Sequence, residues 1–161
     1  ALEYIKILEK NNYMDKVDSL IDRMKIYLKK QKWDIIGNFG LMFSIRKNNT
    51  KLIIKPFQVT HGLIKSTGYV IDKIAYISDC NNISLKNIDY LKNLNYLVLD
   101  CLKIDKHPSH FNLEEALNLI NLTKPKKAIL TNLHMDLDYF KLKKILPKNI
   151  IPAYDGLSFT S

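Results

Sequence analysis

The sequence predicts a layered α/β domain, in which helices cover a β-sheet. The prediction rests on the second half of the chain, where short apolar runs typical of strands alternate with segments that repeat apolar residues at helical spacing. Hydrophobic residues make up 47% of the 161 residues and charged residues 25%, which is the composition of a folded protein. A chain of this length can bury one substantial core. We therefore expect a single domain over residues 1–161.

The first part of the chain, residues 1–40, is predicted to be helical and carries no chemical motif. Residues 14–30 repeat apolar side chains at helical spacing with Lys and Asp between them, which indicates an amphipathic helix. Residues 2–9 form a shorter helical candidate. Gly37 and Gly40 flank a polar-aromatic pair, which is typical of a turn.

From residue 41 onward the pattern predicts sheet and helices. Runs of strand character occupy residues 41–46, 51–60, 67–72, 73–78, 95–102 and 128–131. Helical spacing occupies residues 85–94, 113–122 and 139–146. Asn112 and Glu115 form a capping-box pattern at the start of the second of these helices. Residues 47–50 are predicted to be a hairpin turn and residues 62–66 a loop, and a turn is expected at Asp155-Gly156.

The charge balance favours an anionic partner. Lys and Arg number 25 against 16 Asp and Glu, which gives a formal net charge of +9. A basic surface attracts polyanions, so nucleic acid and small phosphate esters are both candidate partners. Arg occurs only at Arg23 and Arg46, so nearly all of the positive charge lies on Lys spread along the chain. This weakens the case for nucleic acid, because Arg is the better reader of phosphate geometry.

The cysteine content predicts a reducing compartment, and we expect a cytoplasmic protein. Cys80 and Cys101 are too few for a disulfide framework. The sequence has no signal-peptide pattern, and no apolar run approaches the ~20 residues of a membrane span, so no membrane partner is expected. The chain begins at Ala1 within a periodic segment, which suggests that an upstream part is missing.

Three potential metal ligands follow apolar runs directly. His61 and Asp79 each come at or just after the end of a predicted strand, and His134 follows a third strand closely. Ligands on loops after strands are presented at one rim of a sheet, where they can converge. Imidazole and carboxylate groups are the ligands that a hydrolytic two-metal site needs. The sequence therefore predicts a metal site built from these three residues.

The remaining two histidines, His107 and His110, form an HxxH loop before the helix at residues 113–122. The free backbone N–H groups at that helix start favour a phosphate, and a histidine there can protonate a leaving oxygen. The structural alternative is that one of the two caps or packs against the helix, which we expect of His107 rather than His110.

Neighbouring side chains are secondary candidates. Asp100, Asp136 or Asp138 could orient a ligand histidine through its second ring nitrogen. Asp138 is better explained as a helix cap, and Cys80 as a packing residue.

Six motifs occur in an order that resembles a known family. They are VTHG, STGYVIDKIAYISDC, LVLDCL, HPSHFNLEEAL, KPKKAILTNLHMDLDY and LPKNIIPAYDGL. Over roughly residues 57–159 the chain resembles the C-terminal part of a metallo-β-lactamase-fold hydrolase, in the branch of cyclic-phosphate phosphodiesterases related to ribonuclease Z. The resemblance implies an αββα sandwich, incomplete at the N-terminus here, with a two-metal site that holds Zn²⁺ or Mn²⁺.

The resemblance also implies a role for each candidate. His61 would complete the first metal site, Asp79 would bridge the cations, and His134 would be the last ligand of the second. A metal-bound hydroxide would attack phosphorus, and His110 would act as the general acid while His107 contacts the phosphate.

Two departures from the family pattern leave alternatives open. The HxHxDH motif, which supplies most of the family's ligands, is absent from this sequence, and Asn132 stands where many relatives have a histidine. The chain could then be an inactive, metal-free relative that binds nucleic acid. It could also be a structural half-domain that needs a partner chain, and a homodimer is compatible with that hypothesis.

Overall fold

The structure is a computed structural model that describes residues 34–39, 42–47 and 50–159. The backbone divides into two compact units, residues 1–52 and 53–161. The helices expected at residues 2–9 and 14–30 lie outside the described residues, as do residues 48–49 of the turn expected at residues 47–50. The expectation of a single domain stays a prediction.

The first unit contains a β-hairpin, of strands β1 (Asp34–Phe39) and β2 (Met42–Lys47), which pair antiparallel. The prediction that residues 1–40 are helical is wrong for residues 34–39, which form strand β1. The turn expected from Gly37 is wrong for the same reason. The register shifts between Ile35 and Gly37, so this glycine lies at an irregularity within a strand. A glycine in a strand often marks a bulge, which is why its local pattern resembled a turn.

The second unit is built on a mixed sheet, whose strands lie in the order in which they follow in the chain. The strands are β3 (Thr50–His61), β4 (Ile64–Ile71), β5 (Ile74–Ile77), β6 (Tyr96–Asp100), β7 (Lys127–Thr131) and β8 (Ile150–Pro152). The pairs β3–β4 and β4–β5 are antiparallel, and the pairs β5–β6, β6–β7 and β7–β8 are parallel. Strands β3, β5, β6, β7 and β8 therefore run in the same direction.

The connection between β3 and β4 corrects another prediction. Residues 62–66 were expected to form a loop, but His61 pairs with Ile64, so only Gly62 and Leu63 form the turn. Gly62 has a φ of +61°, a left-handed conformation that two-residue hairpin turns require and that glycine adopts at low cost. The expected hairpin between β4 and β5 is confirmed.

Three helices connect the parallel strands, as the sequence predicted. Helix α1 (Leu85–Ile88) continues into a 3₁₀ turn and is shorter than expected, whereas α2 (Leu113–Thr123) and α3 (Tyr139–Ile145) agree closely with prediction. The capping box of α2 is confirmed, because the side chains of Asn112 and Glu115 each accept a backbone hydrogen bond from the other residue. Asp138 caps α3, as expected.

One hydrophobic core joins the sheet to the helices. Its most deeply buried members come from the central strands and from α2, and they include Leu97, Leu99, Ala128, Leu130, Ala116 and Ile120. Parallel strands covered by helices are typically rich in buried apolar residues in this way. The predicted α/β layered class is confirmed. The longest described helix has 11 residues, and none in the described part of the chain could cross a membrane.

Candidate metal centre

The strand directions bring four polar residues to one edge of the sheet. His61 is the last residue of β3, Asp79 lies two residues beyond β5, Asp100 is the last residue of β6, and Asn132 follows β7. Because these four strands run in the same direction, their carboxyl ends share an edge. The structure brings His61 and Asp79 to the same rim, as expected from the strand ends, and their role as ligands stays a prediction.

A cluster of three side chains forms at this edge. His61, Asp79 and His110 each offer one ligand atom, and these atoms all lie within 4.8 Å of one another. The rings of the two histidines are in edge-to-face contact, with centroids 4.6 Å apart. The sequence had assigned the first two to metal binding and His110 to proton transfer, so the structure brings two of the three predicted ligands together with the predicted general acid.

The ring of His61 is held by the HxxH loop. Its Nδ1 donates a hydrogen bond to the carbonyl oxygen of Ser109 at 2.7 Å. Since a carbonyl oxygen only accepts, Nδ1 carries a proton, and in the neutral ring Nε2 has the free lone pair that a metal requires. A Cβ on the adjacent Gly62 would lie 3.1 Å from the Ser109 Cβ, so the hairpin turn and the loop are in close contact.

The ring of His110 is held by a buried carboxylate. Its Nδ1 donates to Asp100 Oδ2 at 2.7 Å, and the Asp100 side chain is fully buried. The backbone N–H of Cys80 donates to the same oxygen, and Asn132 Nδ2 donates to the other at 2.9 Å. Burial raises the pKa of Asp100, and the hydrogen bonds from Cys80, His110 and Asn132 oppose this increase. A carboxyl group that accepts from three donors is suited to its ionised form, which fixes the proton of His110 on Nδ1.

The other two histidines lie outside the three-residue cluster. The ring centroid of His107 is 5.2 Å from that of His110, and its Nδ1 accepts a 3.4 Å hydrogen bond from the Ser109 N–H. His134 is half-exposed, and its Nδ1 donates to Asp136 Oδ1 at 2.8 Å. The structure thus pairs Asp136 with a histidine, as one secondary prediction allowed. The role of His134 as a ligand stays a prediction.

Asn81 was not identified from the sequence, although it positions the loops of the site. Its side-chain oxygen accepts from the Gly62 N–H, and its nitrogen donates to the Pro108 carbonyl oxygen, both at 3.0 Å. One amide thus joins the hairpin turn beside His61 to the HxxH loop. The only sequence indication is a polar amide shortly after a strand end, which is common in loops without any such role.

The donor set of the cluster fits a divalent cation. Two imidazole nitrogens and a carboxylate oxygen are the ligands that zinc takes in catalytic sites, where three protein ligands leave one position open. Both Nδ1 atoms are engaged by acceptors at 2.7 Å, which presents the opposite nitrogens as ligands. A hydrogen-bonded second ring nitrogen is the usual condition of a metal-binding histidine.

The fold and this donor set define a class of protein, an α/β layered domain with a candidate metal centre at the carboxyl ends of its strands. The model of the beta-lactamase superfamily domain matches residues 19–135. The chain therefore belongs to the beta-lactamase superfamily, and the resemblance to metallo-β-lactamase-fold hydrolases drawn from its motifs is confirmed.

Solved structures agree with this assignment. The crystal structure of a diphosphatase from the PhnP family is 26% identical with a TM-score of 0.66, and the match covers 88% of this chain and 54% of that one. Human tRNase Z, short form, is 16% identical with a TM-score of 0.55, over 73% of this chain and 46% of that one. The metallo-beta-lactamase fold protein YhfI from Bacillus subtilis is 18% identical with a TM-score of 0.56, over 66% and 48%. The last two similarities support the fold alone.

A curated relative matches in sequence. It is a protein of Porphyromonas gingivalis (strain ATCC BAA-308 / W83) named octanoyltransferase, 33% identical over 109 residues, which are 66% of this chain and 22% of that protein. The chain thus spans about half the length of the PhnP-family structure, and the match spans about a fifth of the curated relative. The name of that relative describes a protein of which most lies outside the matched segment.

Proposed function

We propose that this chain serves the metal-dependent hydrolysis of a phosphodiester, with a small or cyclic phosphate ester as substrate. The observation that carries the proposal is the convergence of His61, Asp79 and His110 within 4.8 Å at the strand ends. Membership of the beta-lactamase superfamily and the 26% identity to a diphosphatase support it.

His61 and Asp79 would hold the cation, for which we propose Zn²⁺ or Mn²⁺. Both metals accept imidazole and carboxylate ligands. When bound, the cation would supply Lewis acidity to a phosphoryl oxygen and offset the charge that develops there. His134 remains a predicted further ligand, by resemblance to the family.

The HxxH loop would supply the proton that the leaving oxygen needs. His110 is the proton donor expected from the sequence, and Asp100 would fix its orientation through Nδ1. His107 lies beside it, and because its Nδ1 accepts from the Ser109 N–H, its neutral ring carries the proton on Nε2. Both imidazoles can therefore be tested for this role.

Basic side chains near the site in sequence would attract the phosphate. Lys65 Nζ donates to the hydroxyl of Thr60, the residue directly before His61. Lys103 and Lys106 are in the loop that leads to His110. The net charge of +9 favours an anionic substrate in general.

A second candidate function is binding of nucleic acid without catalysis. The sequence lacks HxHxDH, and α3 exposes Lys141, Lys143 and Lys144 beside Phe140, which is 71% exposed. Lysines and an exposed aromatic ring are the groups that bind single-stranded nucleic acid. This alternative predicts a steeply salt-dependent affinity for RNA and no metal requirement.

We also propose a reducing compartment such as the cytoplasm. Cys80 and Cys101 are both buried and unpaired by a disulfide. Free buried thiols agree with the prediction made from the cysteine content.

Turnover of bis(p-nitrophenyl) phosphate with added Mn²⁺ or Zn²⁺ tests the proposal. We expect Asp79→Ala to reduce turnover to background, because the cluster then loses its carboxylate. Asp89→Ala is the matched control, since Asp89 is an exposed aspartate on the 3₁₀ turn, paired with Lys92 at 2.7 Å. Wild-type protein that gives no turnover above the Asp79→Ala background with either metal would contradict the proposal.

A further inference from the structure

We infer that His110 is itself a metal ligand in the substrate-free protein, as the third member of a one-cation site with His61 and Asp79. The inference rests on the proposed function in that it requires a divalent cation at this cluster. It goes further because the sequence and the proposed function assign His110 to proton transfer alone.

The spacing of the three ligand atoms permits a single cation. They lie within 4.8 Å of one another, whereas tetrahedral ligands at a Zn–N distance of 2.0–2.1 Å are about 3.3 Å apart. The side chains therefore need to approach by at most about 1.5 Å to reach that geometry. Asp79 is exposed and accepts a hydrogen bond from the neighbouring Ser78 hydroxyl, so its carboxylate can make much of this adjustment by side-chain rotation.

The orientation of His110 is that of a ligand. Its Nδ1 proton is committed to Asp100, so the lone pair of its ring is on Nε2, as it is in His61. A histidine whose second nitrogen donates to a buried carboxylate is the common form of a zinc ligand, because the carboxylate fixes the tautomer and raises ligand basicity.

The charges of the site are compatible with a bound cation. Asp79 and Asp100 bring two carboxylates against two neutral imidazoles, and one of these carboxylates is fully buried. A divalent cation bound by His61, Asp79 and His110 would balance the formal charge of the pair.

The inference separates the two histidines of the HxxH loop. A His110 that binds a cation through Nε2 cannot hold a proton on that atom at the same time. His107, whose Nδ1 accepts a hydrogen bond, keeps its proton on Nε2 and is outside the cluster. In the metal-bound, substrate-free protein, His107 is therefore the imidazole of this loop that retains a proton on Nε2.

The ring nitrogens can be followed directly, because the chain contains four histidines. We would record long-range ¹H–¹⁵N spectra of the uniformly labelled chain during titration with Zn²⁺, with each ring assigned from its own His→Gln variant. The expected result is that the Nε2 signals of His61 and His110 move together at the first equivalent of Zn²⁺, before any change at His134, while that of His107 stays in place. Movement of His134 in place of His110, or no movement of His110, would overturn the inference.

Zn²⁺ affinity measured by competition with a chromophoric chelator gives a second test. We expect His110→Gln to weaken Zn²⁺ binding about 100-fold or more. Loss of a residue that only supports a metal ligand already costs about 10-fold to 100-fold, and His110 is inferred to be a ligand itself. Glutamine keeps a donor for Asp100, and a thermal melt of the metal-free variant checks that it folds. His107→Gln is the control from the same loop and should bind Zn²⁺ as the wild type does, while Asp79→Asn should weaken binding as His110→Gln does.

The two tests separate this inference from the proposed function. Zn²⁺ binding that depends on His110 supports the inference even if no phosphodiester is hydrolysed, and that result would count against the proposed function alone. Full Zn²⁺ affinity in folded His110→Gln overturns the inference and leaves the proposed function standing.

Discussion

Replacement of Asp100 by asparagine should destabilise the protein and weaken the metal site together. The carboxylate accepts from Cys80 N–H at 3.1 Å, His110 Nδ1 at 2.7 Å and Asn132 Nδ2 at 2.9 Å. An asparagine at this position has one acceptor oxygen, so its NH₂ group must face a donor. The variant loses a charge-assisted hydrogen bond and leaves a buried donor unpaired.

The size of the effect follows from these two losses. A hydrogen bond to a charged group contributes about 1.5–3 kcal/mol, and an unpaired buried donor costs about 1–3 kcal/mol. Removing the burial cost that raises the pKa of Asp100 offsets part of this. We therefore expect D100N to lower the free energy of unfolding by about 3 kcal/mol in urea denaturation of the metal-free protein. Loss of the tautomer constraint on His110 should weaken Zn²⁺ binding by about 10-fold to 100-fold.

A second Asp–His pair in the same chain provides the control. Asp136 accepts from His134 Nδ1 at 2.8 Å, nearly the distance of the Asp100–His110 pair, but both side chains are partly exposed. An exposed pair contributes little, so D136N should unfold at the same urea concentration as the wild type. A D100N variant whose free energy of unfolding lies within about 1 kcal/mol of the wild-type value would refute the argument that this carboxylate is an essential acceptor.

Further predictions concern a turn, a cap and the thiols. Gly62→Ala should lower the free energy of unfolding by about 1–2 kcal/mol and weaken Zn²⁺ binding, because φ is +61° and the new Cβ would lie 3.1 Å from Ser109 Cβ. A variant with the melting temperature and Zn²⁺ affinity of the wild type would contradict this. Asn112→Ala should lower the unfolding free energy by about 1 kcal/mol through loss of the α2 cap, as measured in urea, and an unchanged midpoint would refute it. Burial raises the pKa of Cys80 and Cys101 to about 12, so neither thiol should react with Ellman's reagent at pH 8 until the protein is unfolded. Because the folded pKa is raised, the stability that these thiols contribute is present below pH 9 and should fall as the pH rises from 9 toward 12, which urea denaturation across that range would reveal.

Local sequence rules predicted those parts of the fold that depend on neighbours in the chain. The capping box of Asn112 and Glu115 and the cap at Asp138 involve residues three apart, so their pattern is visible in the sequence. The sequence could place His61 and Asp79 at one edge of the sheet, because each comes at or just after the end of a predicted strand. The loop expected at residues 62–66 was wrong because the strand resumes at Ile64, after a turn of only two residues.

The centre of the site depends on contacts between distant segments, which no local pattern contains. His110 is joined to Asp100 ten residues away, and His61 to Ser109 across 48 residues. The resemblance to the family assigned His110 a chemical role but gave no distance to His61. The strand at residues 34–39 escaped prediction because its partner strand and irregular register, and not its own periodicity, define it.

The burial of Cys80 and Cys101 limits the kinds of ligand that the candidate metal centre can offer to a metal ion. Cys80 follows Asp79 and Cys101 follows Asp100, yet both sulfurs are buried and held as thiols. The strongest soft ligands in this part of the chain are thereby withheld from the surface, leaving imidazole nitrogen and carboxylate oxygen. A copper(I) or cadmium ion at the three-residue cluster would therefore gain no bond to either cysteine sulfur while the protein is folded.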